Sequence, residues 1–332
     1  MKLPQKILVV RMDRLGDLLM SLPSLVYLRK SFPNSEIDLS CQKSFHELLR
    51  GFCDENRVGL VDSCQKHYDA ALFLQGTFRD CFELFKWRVA TRSGLFSKPW
   101  SFVLLNQGVR QRRSQTAKNE AEFNLDLAKA LTSVWRVSSS EPTQPGCLPK
   151  DPKSYDEALK RLKDLGIDKS FVVFHPGMRG SALNVSAEVY LQLMTTYEAS
   201  GLKILLSVGP EKKDQEMKEK LMRWKPDLSV ISGLSLIQLS EVFRLAETVV
   251  APSTGPLHLA HWVGTKTVGL YSPVRAHHPI RWAPWGGIKK GKVLVPEVKC
   301  PAQRECLGAS CELFPCMERA DWKSLLLSAE NG

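Results

Sequence analysis

The sequence predicts an α/β protein of two domains, each a parallel sheet wrapped by helices. Three observations predict it. Short apolar runs alternate with helix-length periodic stretches in both halves, the pattern of stacked βα units. The chain has 332 residues, long for one ordinary domain and comfortable for two. The alternation breaks once near the middle. Residues 135–155 hold Ser138-Ser139-Ser140, Pro142, Pro145-Gly146, Pro149 and Pro152 with little periodicity, so they read as a linker. The expected domains are 1–150 and 151–332, both Rossmann-like and facing each other across a cleft.

In the first half, KILVV at 6–10 is a strand followed by a polar turn. Gly16-Asp17 opens an apolar-periodic helix through Leu18, Leu19, Leu22, Leu25, Val26 and Leu28, with Asp17 placed as a cap or first-turn acid. Pro23 predicts a kink or a late start of that helix. Further strands are expected at 36–40, 58–61 and 70–74, and a helix at 119–134.

The second half alternates more regularly. Helices are expected at 154–165, 186–199, 211–224 and 235–245, with one more opening at Gly255-Pro256. Strands are expected at 171–174, 203–208, near 229–231, at 248–251 and at 267–270. Ligands of such folds sit at the carboxyl ends of the strands.

Composition narrows the function classes. Hydrophobic residues make up 43% and charged residues 24%, as in an ordinary soluble globular chain. No apolar stretch reaches 18 residues, and residues 1–20 are interrupted by Arg11, Asp13, Arg14 and Asp17, so neither a membrane span nor an export signal is expected. The nine cysteines are therefore expected to be reduced.

The net charge of +11 is unevenly placed. Stretch 76–118 holds Arg79, Lys86, Arg88, Arg92, Lys98, Arg110, Arg112, Arg113 and Lys118 against Asp80 and Glu83. Phe78, Phe82, Phe85, Trp87, Phe96, Trp100 and Phe102 are interleaved with them. That mixture points to an anionic partner with an apolar edge, either a lipid surface, a phosphorylated glycolipid or a nucleic acid. The plainer alternative is a solvated segment with buried aromatics.

Three loops at strand ends open helices: Arg11–Asp17, His175–Ser181 and Ser253–His258. A helix start offers free amides backed by the helix dipole, which suits phosphate. Gly255 permits close backbone approach, Pro256 fits a first turn that needs no N–H, and Thr254 adds a hydroxyl. No G-x-G-x-x-G follows the first strand and no G-x-x-x-x-G-K-[ST] occurs, which argues against a dinucleotide oxidoreductase and a P-loop enzyme. No D-x-D stands clearly at a strand end, so neither a metal-held nucleotide nor any other cofactor is expected.

Three stretches then stand out: ILVVRMDRLGDLLMSLPSL, FHPGMRGSALN and VVAPSTGPLHLAHWVGTKTVGLYSP. In this order, from about residue 6 to 275, they resemble glycosyltransferase family 9, the ADP-heptose:lipopolysaccharide heptosyltransferases. The resemblance implies a GT-B fold, with acceptor on the N-terminal domain and nucleotide-sugar donor on the C-terminal one. It implies inverting, metal-independent transfer of heptose to the lipopolysaccharide inner core. The expected setting is the cytoplasm, peripheral to the inner membrane, with an anionic glycolipid acceptor and no nucleic-acid partner.

The resemblance also assigns roles. Asp17 matches the presumed general base, with Asp13 in reserve, and a carboxylate within reach of a sugar hydroxyl can take its proton during attack. Thr254-Gly255 matches the pair at the donor pyrophosphate, flanked by Ser253, Pro256 and His258. Ser253 stands where many members carry an aspartate. Leu183-Asn184-Val185-Ser186 stands where many carry Lys-x-Trp-Pro, which leaves Arg179, beside Gly177, as the substitute cation. Glu211 is the best match to a ribose-binding acid, with Asp214 possible. The acceptor-binding residues are expected to be Arg11, Asp13, Arg14 and Gly16; Arg11 and Arg14 flank the base loop and would hold acceptor phosphate or carboxylate, where forked guanidinium donors suit planar anions. Two alternatives stay open: the same fold using another nucleotide sugar, and a non-enzymatic basic protein that binds anions or membranes. Cys300, Cys306, Cys311 and Cys316 could form a thiol cluster, a metal site or disulfides.

Overall fold

The computed structural model describes residues 2–65, 67–75, 77–115, 118–142, 147–178, 180, 182–286 and 291–328. The chain divides into two compact units, Met1–Arg113 with Lys118–Pro149, and Ser114–Ala117 with Lys150–Gly332.

The first unit runs β1 (Lys6–Arg11), α1 (Leu15–Leu19), α2 (Leu22–Ser31), β2 (Glu36–Ser40), α3 (His46–Asn56), β3 (Val58–Val61), β4 (Ala70–Gln75), α4 (Phe78–Lys86), β5 (Thr91–Leu95), α5 (Ser101–Leu104), β6 (Gln107–Val109) and α6 (Glu120–Ser133). Its sheet is parallel, in the order β3-β2-β1-β4-β5-β6. Ile7, Leu8, Val9 and Val10 are fully buried. That explains an unbroken apolar run where an alternating strand would mark a sheet wet on one face.

The second unit runs α7 (Pro152–Asp164), β7 (Phe171–Phe174), α8 (Ala187–Ala199), β8 (Lys203–Val208), α9 (Lys212–Trp224), β9 (Ser229–Ser232), α10 (Leu236–Leu245), β10 (Thr248–Pro252), α11 (Gly255–Trp262), β11 (Lys266–Leu270), α12 (Pro279–Trp282), β12 (Gly291–Leu294), α13 (Cys316–Arg319) and α14 (Trp322–Ser328). Its order, β12-β11-β10-β7-β8-β9, repeats that of the first unit, with β7 in the place of β1 and β10 in the place of β4. All its strands are parallel. In both sheets the strand order therefore reverses between two central strands, the place at whose carboxyl ends such folds bind ligands.

Local signals account for most boundaries. Asn119 caps α6 in a reciprocal box with Glu122, Ser235 caps α10 with Gln238, and Thr77 caps α4 with Asp80. Of the two outcomes open for Pro23, the late start is realised. The helix breaks at Met20-Ser21, and Pro23 sits in the first turn of α2, where it costs no hydrogen bond.

Three elements carry no periodic signal in the sequence. β5 and β6 lie inside the basic stretch and are short and polar. In β5, Gly94 is pinned between Phe73 and Leu105, whose atoms would lie 3.1 and 3.0 Å from an added Cβ. β12 follows a region without helical periodicity. At the far end, Trp322 of α14 is fully buried in the core of the second unit, alongside Tyr190, Leu193 and Leu270. Its indole N–H donates to the Met317 carbonyl at 2.8 Å.

Replacing Trp322 by Ala leaves both a cavity and an unpaired carbonyl. Stability should fall by about 3–5 kcal/mol, read as a lower midpoint in urea unfolding followed by circular dichroism. A loss under about 1 kcal/mol would mean that the C-terminal helix is not part of the cooperative core.

Candidate active site

In the first unit the reversal lies between β1 and β4, and Arg11 ends β1. Only 1% of Arg11 is exposed. Its guanidinium donates to the Leu74 carbonyl at 3.1 Å and to Asp17 Oδ1 at 3.1 Å. It also forms ion pairs with Asp13 at 2.8 Å and with Glu120 at 3.8 Å. Arg113 holds Glu120 from the other side at 2.5 Å, and Asn124 donates to the Met20 carbonyl at 3.2 Å, tying α6 to the end of α1.

Asp17 sits in the first turn of α1, one-fifth exposed, with its carboxylate oriented by Arg11. Asp13 is three residues beyond Val10 on the loop, whose Met12 and Asp13 carbonyls are held by Gln42 at 3.0 and 2.9 Å. Burial pushes the Asp13 carboxyl up to about 6; Arg11 opposes that shift, while Asp17 and Glu120 add to it. Arg14 is exposed at the N-cap of α1, and Gly16 lies in its first turn. Of the four residues expected to face an acceptor, Arg11 thus directs its guanidinium to carboxylates of its own chain. Glu120, Asn124 and Arg113 were not singled out for the site from sequence. Glu120 and Asn124, four apart on one face of α6, were the available signal.

In the second unit the reversal lies between β7 and β10. His175 follows β7, donates its backbone N–H to the Val250 carbonyl at 2.9 Å, and shares a hydrogen bond between Nδ1 and Ser207 Oγ at 3.1 Å. Burial pushes its pKa down to about 4, so the ring is neutral. Beside it, a Cβ on Gly177 would stand 2.9 Å from Asp214 Oδ1 and 3.1 Å from His175 Nε2, and one on Gly209 would collide with Asp214. The glycines are there because a carboxylate occupies that space. Asp214 is the buried acid of this corner, whereas Glu211 is an exposed N-cap residue of α9. The structure thus distinguishes the two acids that the sequence left as alternatives.

The third loop opens α11. Ser253 N–H binds the Leu270 carbonyl at 3.2 Å, and Thr254 is the N-cap, its hydroxyl turned to the Pro252 carbonyl at 3.1 Å. Gly255 and Pro256 form the first turn. His258 is buried, and its Nδ1 has no hydrogen-bond partner among the described residues. Burial, then the neighbouring His261, pushes its pKa down to about 3. Arg179 lies outside the described residues. Leu183–Ser186 lines a cavity of about 530 Å³ with Lys220 and Arg223 of α9, so cations reach that stretch from another element. The four C-terminal cysteines are free thiols that share one small apolar cavity. Burial and the other three raise the Cys316 thiol pKa. Among the described residues, no group of His, Cys, Asp or Glu is arranged to hold a metal ion.

With this geometry in view, the chain can be set beside known proteins. The sequence model of "Glycosyltransferase family 9 (heptosyltransferase)" matches residues 62–307, well over half of the chain. The match contains the His175 and Ser253 loops and begins after the Arg11–Asp17 loop. A Haemophilus influenzae protein described as a glycosyltransferase is 27% identical over 323 residues, covering 91% of each chain. The lipopolysaccharide core heptosyltransferase OpsX of the same organism is 21% identical over 331 residues, covering 93% of this chain and 89% of its own. Among solved structures, the E. coli heptosyltransferase WaaC with ADP superposes with a TM-score of 0.69 at 17% identity. It covers 98% of this chain and 100% of that one.

The buried acid gives this site a pH signature. The folded protein holds the Asp13 proton more tightly than an unfolded chain does. Its stabilising contribution is therefore complete below the ordinary carboxyl value of 3.8 and is lost as pH rises through about 6. Asp13→Asn removes that dependence. Urea unfolding at a series of pH values should show the variant gaining on the wild type between these limits. A constant difference across the window would mean that Asp13 titrates like an exposed acid.

Proposed function

Because the chain belongs to glycosyltransferase family 9, we propose that it is an inverting, metal-independent heptosyltransferase that moves heptose from ADP-heptose to the inner core of lipopolysaccharide. The observation that carries the mechanism is the Asp17 carboxylate, held at the reversal of the first sheet by a buried guanidinium. OpsX acts on lipopolysaccharide core by name, and the WaaC structure holds ADP. These support the acceptor and donor classes.

In this reading the first unit binds the acceptor. An acceptor hydroxyl oxygen attacks the anomeric carbon as the bond from that carbon to the diphosphate oxygen breaks. The hydroxyl proton passes to Asp17, and the electron pair of the broken bond leaves with ADP. One displacement inverts the carbon. Arg11 aims Asp17, while exposed Arg14 meets the acceptor's anionic groups. The second unit holds the departing diphosphate with the amide-rich openings of α11 and of the loop after β7, where the developing charge meets helix dipoles. His175 and His258, both neutral, offer ring nitrogens without adding charge. The enzyme works from the cytoplasmic side, on an acceptor anchored in the inner membrane. Among the described residues, no helix is long and apolar enough to cross a membrane.

A second reading has one specific observation behind it. Ser253 and Leu183 replace an aspartate and a lysine that many members carry, so the sugar or nucleotide could differ from ADP-heptose. Transfer measured with ADP-heptose against UDP- and GDP-sugars separates the two, and preference for another donor would replace the heptose assignment.

Asp17→Asn, which keeps a side-chain oxygen for Arg11, should slow transfer about a thousandfold while ADP binding stays near wild type. Turnover near the wild-type rate would remove Asp17 from the role of base.

A further inference from the structure

The basic stretch of the first unit folds into a surface that the transfer chemistry does not use. Along α4, Phe78, Phe82 and Phe85 recur at the i, i+4 and i+7 positions of one helical face, while Cys81 and Leu84 turn into the core. The three rings are 53, 46 and 42% exposed. On α5, Phe102 and Val103 are 48 and 71% exposed. The rings form two packed groups. Phe78 stacks on Phe82 at 5.7 Å and meets Trp100 edge-on at 6.2 Å, and Phe96 stacks on Phe102 at 5.0 Å. An apolar patch of this kind, left in water and rimmed by polar groups, marks a binding surface.

The rim has one sign. Arg92 lies over the Phe85 ring at 5.2 Å and Arg110 over the Phe102 ring at 5.3 Å. Arg79, Lys86, Arg88 and Lys98 are exposed around them. The two acids of the stretch are engaged locally, Asp80 in the capping box of α4 and Glu83 with Arg79 at 3.3 Å. The charges of this rim share one sign, which calls for an anionic partner. Nucleic-acid platforms present rings to separate bases, whereas these rings are packed against one another with aliphatic Val103 beside them.

We propose that the α4–α5 face docks on an anionic lipid bilayer, its phenylalanines sinking to the acyl boundary while the surrounding arginines and lysines meet lipid phosphates. This deepens the proposed function, on which it rests for its purpose: it names the surface by which the enzyme reaches a membrane-anchored acceptor. The binding itself needs neither donor nor acceptor.

Full-length protein is sedimented with vesicles of phosphatidylcholine alone and of phosphatidylcholine with one quarter phosphatidylglycerol, without substrates. Wild type should partition onto the anionic vesicles, release as salt is raised, and leave the neutral vesicles nearly bare. Because the rings are exposed, Phe82→Ser with Phe102→Ser should keep the thermal midpoint and lower anionic-vesicle partitioning at least ~10-fold, as expected for removing two buried rings. Lys86→Glu with Lys98→Glu should lower it at least ~30-fold, at roughly 1 kcal/mol for each of the two lysine charges lost. The phenylalanine variant should still turn over a soluble, deacylated acceptor. Loss of transfer to every acceptor in the wild type would fault the proposed function without touching the vesicle result. Equal partitioning of wild type and both variants would overturn the docking face. So would wild-type binding to a single-stranded oligonucleotide, lost in the phenylalanine variant, with no vesicle binding.

Discussion

A guanidinium buried at the end of β1 is the constraint around which the first unit is arranged. A charge that far from water is tolerated only when it is paired and hydrogen-bonded on every side. Arg11 meets that demand by drawing in Asp17 from α1, Asp13 from the loop, Glu120 from α6 and the Leu74 carbonyl from β4. Four separate elements are thereby held to one point. Burial, with the neighbouring Asp17 and Glu120 carboxylates adding to it, makes Asp13 hold its proton up to about pH 6 while Arg11 keeps contact with Asp17. Arg113 closes the far side of Glu120, so two guanidiniums and three carboxyl groups form one network.

The second unit uses the same strand order to a different end. It holds two neutral imidazoles, a helix opening and glycines displaced by the Asp214 carboxylate. One topology thus presents an oriented carboxylate in one unit and dipoles with uncharged rings in the other. In the proposed function the first takes the hydroxyl proton and the second holds the departing diphosphate.

The aromatic stretch of the first unit shows how one segment serves two purposes. Its inward residues, Cys81, Leu84, Leu104 and Leu105, complete the core around β4 and β5. Its outward phenylalanines add nothing to that core. Their stacking and their guanidinium neighbours give the exposed face an order that an incidental patch of apolar residues would lack.

Much was legible in the amino-acid sequence because it depends on local physics. Strands buried on both faces must read as apolar runs, so β1, β7 and β8 stand almost where the runs stand. Caps and first-turn prolines mark helix starts through bonds reaching only three residues, as at Asn119 and Ser235. The loops at strand ends followed from that alternation. What no local pattern could reveal depends on residues far apart in the chain. β5 is a strand because Gly94 fits between Phe73 and Leu105, and Glu120 belongs to the site because α6 crosses the end of β1. Asp214 and Glu211 look alike in sequence, and only the packing of α9 against two glycine turns buries one and leaves the other in water. The sequence by itself determined which elements form and which loops carry polar groups. The tertiary structure decided which charges meet, because pairing energies depend on distance and burial, and neither is written in the order of residues.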